Sequence, residues 1–149
     1  MSKTPVRASE FRLRKMVEFS QTDMAGIVHH THFFLYMEEV EHAFLRSLGL
    51  SVVMSEGGRN LSWPRVSCAF DFKQPLYFED EFDLRLVVER MGARSVTYRV
   101  EVTREGASIA VGHSTSVCCE LLSPGKLRSV EIPAAYRERV QAEEMSGTP

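Results

Sequence analysis

Two hydrophobic periods divide the chain. Over 10–19 the stretch EFRLRKMVEF alternates, with Phe11, Leu13 and then Val17 or Phe19 in one phase, the pattern of a half-buried strand. Over 33–48 the spacing lengthens to three and four: Phe33, Met37, Val40, Phe44 and Leu48 form one stripe, with Tyr36 beside it. That spacing predicts a helix of about four turns, ended by Gly49 in the left-handed position that follows a last turn. Residues 51–60, SVVMSEGGRN, lose the period and read as a loop.

Beyond the loop the period is two. Val66, Cys68, Phe70 and Phe72 share a phase, as do Phe82, Leu84, Leu86 and Val88, then Val96, Tyr98, Val100 and Val102. Ile109, Val111, Thr115, Val117, Cys119 and Leu121 predict one long last strand, with His113 on its apolar phase as a hydrogen-bonded core histidine. The connections QPLYFED, MGAR and REGA are short, which suits antiparallel neighbours. The expected fold class is α+β: a mainly antiparallel five-stranded sheet wrapped around one long helix. The tail after Ile132 is expected to hold one short helical turn.

At 149 residues this is one domain, 1–149, with about 1–8 and 141–149 expected to be flexible. A net charge of -2, without clustered lysine or arginine, carries no footprint for nucleic acid or an anionic membrane. No stretch approaches the roughly 20 apolar residues of a bilayer span, and MSKTPVRASEF has no signal-peptide core, so a cytoplasmic location is expected. Cys68, Cys118 and Cys119 form no CxxC pair and are expected to be reduced core thiols.

The chemistry concentrates in SQTDMAGIVHHTHFF, residues 20–34, between the first strand and the helix. Asp23 followed by Gly26 sets an anionic side chain near a helix start, where free backbone N–H groups and the macrodipole favour negative charge. A carboxylate there can attack a carbonyl or activate water while the N–H groups hold the resulting oxyanion. Aspartate before a glycine turn is equally a turn-capping device, and spacing alone leaves both readings open. His29 and His32, three apart, could join Asp23 on a metal, but neither an HExxH pattern nor a second ligand cluster accompanies them, so no metal is expected. His30 is a candidate general acid or orienting donor, or simply a helix-start residue.

The segment VEFSQTDMAGIVHHTHFFLYMEEVEHAFLRSLGL resembles the opening of the hot-dog-fold acyl-CoA thioesterases of the 4-hydroxybenzoyl-CoA thioesterase type. Asp23, Gly26, Ile27, Val28 and His30, followed by Phe33 and Glu38, carry the likeness, and the later strands also fit. The resemblance implies hydrolysis of an acyl-CoA to a free acid and coenzyme A, with no metal or cofactor. It assigns Asp23 as nucleophile or general base, the helix start at Gly26 and His30 as the oxyanion site, and His30 as an assisting side chain. It also implies a homodimer joined edge to edge, with dimers paired into a homotetramer. His29, where one branch of the family often has tyrosine, is a candidate substrate contact; Arg94 and Ser95 are candidates for the nucleotide phosphates. Phe33, Tyr36 and Trp63 are candidates for the acyl pocket or for ordinary core. Gln21 stands where an acidic residue is frequent. The rivals are an enoyl-CoA hydratase and a non-catalytic acyl-thioester binding module.

Overall fold

A computed structural model describes residues 7–143. In chain order the elements are β1 (Glu10–Met16), α1 (His30–Ser47), β2 (Met54–Glu56), β3 (Arg59–Ser62), β4 (Arg65–Phe72), β5 (Glu81–Met91), β6 (Ser95–Arg104), β7 (Ala107–Val117), β8 (Cys119–Ser123), β9 (Lys126–Ser129) and α2 (Ala134–Arg137). Five strands form an antiparallel sheet in the order β1-β5-β6-β7-β4, and α1 packs on its inner face. A second sheet, β2-β3-β8-β9, lies outside the expected plan.

The apolar stripe of α1 buries Phe33, Tyr36, Met37, Val40, Phe44 and Leu45 against Phe82, Leu84, Leu86, Val100 and Val102. Each such side chain contributes roughly 1.5–3 kcal/mol on leaving water. The helix begins three residues before the first apolar position of the stripe, because a polar side chain, His29, caps it. Its end follows the expected pattern: Gly49 adopts φ 74°, donating to Arg46 O at 3.0 Å, and Leu50 N donates to Leu45 O at 2.8 Å.

Four expectations are corrected. Residues 51–60 contain the hairpin β2–β3, turned by Gly57 and Gly58 at φ 56° and 78°, too short for periodicity to reveal. The long last strand is two strands, broken at Cys118, whose N–H leaves the ladder for Arg94 O at 2.7 Å and sends the chain into the second sheet. The buried phase of β7 is Ala110, Gly112, Ser114 and Ser116, and His113 stands half-exposed on the outer face with Nε2 3.6 Å from Glu89. The register irregularity at Val102/Thr103 and the bulk of α1 explain this choice: a Cβ on Gly112 would sit 2.5 Å from the Phe70 ring and 2.8 Å from Met37 Cε. Cys68 is exposed, on β4, which has no strand beyond it among the described residues; Cys118 and Cys119 are buried free thiols.

Phe19 lies beyond β1 in a 3-10 turn, exposed, edge-on to Phe78. Of the ends expected to be loose, residues 1–6 and 144–149 lie outside the described residues. Ala8 and Gln141 are tied together, Gln141 N to Ala8 O at 3.0 Å, and Glu143 N donates to Val88 O. Among the described residues no helix is long and apolar enough to cross a membrane.

Gly112→Ala should cost about 1–3 kcal/mol by overpacking, read as a lower urea midpoint; an unchanged midpoint would show that α1 can move off the sheet freely. The buried Tyr98 and Tyr136 hydroxyls bond each other at 2.6 Å, and burial pushes both well above the ordinary tyrosine value. Raised values favour the protonated fold, so this contribution is complete below about pH 10, where the unfolded tyrosines begin to ionise, and is lost above it. Urea unfolding from about pH 8 to about pH 11 should show that decline, shallower in Tyr136→Phe; a rise would contradict it.

Candidate active site

The turn between β1 and α1 is held by its own backbone. Asp23 N donates to Ile27 O at 2.9 Å and Gly26 N donates to Asp23 O at 2.9 Å, closing a loop that requires φ 82° at Gly26. Val28 N to Leu76 O and His29 N to Gln21 O, both 2.9 Å, fasten its far side. The Gly26 amide is therefore spent inside the turn. Its residue supplies the left-handed backbone rather than an oxyanion donor, correcting the expectation that Gly26 would act at the helix start.

Asp23 Oδ1 accepts from Ala25 N at 2.8 Å, so the turn-capping reading describes one of its oxygens. Oδ2 has no hydrogen-bond partner among the described residues. Asp23 lines an open pocket of ≈ 410 Å³ with His30, Phe33, Phe72, Lys73 and Gln74. His30 is the first residue of α1, and its backbone N–H has no acceptor among the described residues, as expected of a first-turn amide. The structure thus brings a half-committed carboxylate and a free helix-start donor to one pocket.

His29 is the helix cap: its Nδ1 accepts from Thr31 N at 3.3 Å and lies 2.8 Å from Thr31 Oγ1, while its ring stacks on His30 at 4.4 Å. The structure places it in support of His30 and outside the pocket lining, against its expected part as a substrate contact. Two further residues order this loop or pocket: Gln21, noted in the sequence only as a departure from the family pattern, and Lys73, which did not stand out. Gln21 Oε1 accepts from Tyr36 Oη at 2.6 Å and from Glu18 N at 3.0 Å, tying the loop to the helix. Burial, with Glu39 and Glu18 adding to it, pushes the Tyr36 hydroxyl up, so it stays a donor. Lys73 adds a cation to the pocket from the end of β4, a position that no spacing in the chain links to Asp23.

Arg94 sits in the β5–β6 turn and Ser95 opens β6. Arg94 Nη1 donates to Ser129 Oγ at 3.1 Å, and Ser95 O accepts from Gly92 N at 2.8 Å. Ten-residue β6 carries the chain roughly 30 Å from that turn towards the end nearest Asp23, so the two are not brought to the Asp23 pocket of their own chain. Among the described residues no group of three or more His, Cys, Asp or Glu side chains could hold a metal ion. Phe33 is buried yet borders the Asp23 pocket, Tyr36 is core, and Trp63 borders a different cavity, of ≈ 290 Å³, under the second half of α1.

Residues 17–140 match the family model described as the Thioesterase-like superfamily. A curated protein of Aquifex aeolicus named "Putative esterase" is 33% identical over 121 residues, 80% of this chain and 91% of that protein. A 1,4-dihydroxy-2-naphthoyl-CoA hydrolase of Prochlorococcus marinus is 26% identical over 65% of this chain and 67% of its own length. The structure of a gentisyl-coenzyme A thioesterase superposes with a TM-score of 0.73 at 27% identity, covering 85% of this chain and 99% of that one. The fold is shared with a 4-hydroxybenzoyl-CoA thioesterase variant in complex with 4-hydroxybenzoyl-CoA, TM-score 0.75 at 21% identity, over 88% and 98% of the two chains.

Gly26→Ala meets open space but keeps the left-handed strain, about 1–2 kcal/mol. Chemical unfolding should register that loss; no loss would mean that the turn does not depend on φ 82°.

Proposed function

The chain belongs to the thioesterase-like superfamily and hydrolyses acyl-CoA thioesters, and on that premise we propose that Asp23 is its catalytic carboxylate and the His30 amide its oxyanion donor. The observation that carries the assignment is the shared pocket: Asp23, whose Oδ2 has no partner among the described residues, beside a residue whose N–H likewise has no acceptor among them.

The thioester carbonyl oxygen takes the His30 N–H, and the macrodipole of the 18-residue α1 adds to it. Asp23 Oδ2 then either attacks the carbonyl carbon or removes a proton from a water that does. In the first route the carbon–sulfur bond breaks, coenzyme A leaves as the thiolate and gains a proton, and water cleaves the mixed anhydride to restore Asp23. In the second, water adds directly and the proton held by Asp23 passes to the departing sulfur. Both routes end in free acid and coenzyme A, and both use the same geometry. The His30 ring, stacked on His29 at the pocket's rim, assists proton transfer. Lys73 adds positive charge near the developing oxyanion.

β4 supports the reading of a homodimer; the pairing of dimers into a tetramer rests on the family resemblance alone. β4 is an edge strand whose residues are exposed except Phe70, and Val66 and Phe72 are 61% and 48% accessible. An unpaired edge with apolar side chains invites a second strand. In such an assembly Arg94 and Ser95 of another subunit are available to the nucleotide. Buried free thiols suit a reducing compartment, and we place the enzyme in the cytoplasm.

Asp23→Asn keeps an oxygen for the Ala25 amide, so the turn should survive while acyl-CoA turnover falls on the order of 10²–10⁴-fold. Steady-state hydrolysis and thermal unfolding measured together check this. Full turnover would remove Asp23 from the chemistry; a collapse in melting temperature would return it to a structural role.

A further inference from the structure

The cavity under the second half of α1 lies outside the Asp23 pocket. Trp63, Tyr98 and Tyr136 give it aromatic walls, and Glu41, His42 and Arg65 supply polar groups. Trp63 and Tyr136 rings lie 5.0 Å apart. The volume of ≈ 290 Å³ compares with about 150 Å³ for a cavity that takes benzene, leaving room for a substituted one- or two-ring aryl group.

Two polar groups there have a hydrogen bond still to make, one of them a fully buried atom. Glu41 is 5% exposed, and its Oε1 accepts from Arg65 Nη1 at 2.8 Å, but Oε2 has no partner among the described residues. Trp63 Nε1 is buried with no acceptor among the described residues. Arg65 is itself anchored by a hydrogen bond to Ser114 Oγ. Burial would loosen the Arg65 proton, yet its hydrogen bond and charge contact with Glu41 outweigh that and hold the guanidinium above its ordinary value. The carboxylate is thus fixed in place with one acceptor oxygen to offer. Leaving such a group unpaired beside an apolar ligand is costly, and a phenolic hydroxyl pairs it.

Within one chain this cavity is out of reach of Asp23. Glu41 is eleven residues along α1 from His30, ~16 Å, whereas an aroyl ring is bonded directly to its thioester carbonyl. α1 and β4, however, run in opposite directions: Phe33 meets Phe72 at 5.1 Å between ring centroids at one end, and Glu41 meets Arg65 at the other. Pairing two β4 strands antiparallel about their middles reverses this order across the edge. Phe72, beside Asp23, then lies against Arg65 of the partner subunit, and the cavity of that subunit opens next to the reacting carbonyl.

We propose that Glu41, held by Arg65, is the specificity-determining group of the enzyme, accepting a hydrogen bond from a hydroxyl on an aryl acyl group whose carbonyl sits at Asp23 of the partner subunit. This rests on the thioesterase reading and on the β4 dimer.

Three measurements test it. The ratio of kcat/KM for 4-hydroxybenzoyl-CoA over benzoyl-CoA is independent of the folded fraction. It should favour the hydroxylated substrate in the wild type and fall about tenfold or more in Glu41→Gln; an unchanged ratio, or a wild-type preference for benzoyl-CoA or hexanoyl-CoA, overturns the proposal. Trp63 is the sole tryptophan, so its fluorescence should respond saturably to 4-hydroxybenzoate, more weakly to benzoate, and equally in Asp23→Asn. Normal hydrolysis without this response overturns the cavity assignment, whereas the response without any hydrolysis overturns the catalytic reading instead. Should Glu41→Gln fail to fold, the contrast between the two acids on the wild type decides alone. Finally, co-refolding Asp23→Asn chains with Glu41→Gln chains should restore part of the hydroxyl preference, because mixed dimers hold one intact site; no restoration places both groups in one chain and overturns the shared site.

Discussion

An α-helix begins with N–H groups that its own turns cannot bond, and here one of them, on His30, has no acceptor among the described residues, in a residue that lines one pocket with Asp23. The rest of the structure sustains that meeting. The backbone bonds of Asp23 and Gly26 close the turn, Leu76 and Gln21 hold its far strand, and Tyr36 anchors Gln21 from the helix. His29 satisfies the next amide, which leaves the His30 N–H as the donor still available. A buried helix stripe and an antiparallel sheet keep these parts in register, so the loop's polar chemistry rests on a rigid apolar support.

The sheet contributes by what it leaves out. Ala110, Gly112, Ser114 and Ser116 line the inner face of β7 with small groups, which lets α1 approach and makes space for the Glu41–Arg65 pair. Larger residues there would fill the cavity and push the helix away. The antiparallel run of α1 against β4 then decides which surfaces a two-fold pair can combine. In the proposed β4 dimer, the Asp23 pocket at one end of the helix and the aromatic compartment near the other become neighbours across two chains.

Much of this was legible in the chain. The stripe of α1, the buried phases of β5 and β6, the cap at Gly49 and the Asp23–Gly26 turn are local patterns with a single period or a single backbone requirement. The inner phase of β7 was not legible, because Val111, Thr115 and Val117 look more apolar than the small residues that actually face the helix. There, space rather than hydrophobicity chose the face. The β2–β3 hairpin escaped because strands of three and four residues carry no readable alternation. Glu41 and Arg65, which bond each other, and Lys73 and Asp23, which line one pocket, are distant in sequence and brought together only by the fold.

The most direct measurement is a crystal structure with a non-cleavable ketone analogue of an aroyl-CoA, in which the sulfur is replaced by a methylene group. The ketone oxygen should lie about 2.7–3.1 Å from the His30 amide nitrogen, with Asp23 Oδ2 facing the carbonyl carbon. A carbonyl bound elsewhere, with the His30 amide still unbonded and Asp23 turned only to Ala25, would contradict the account.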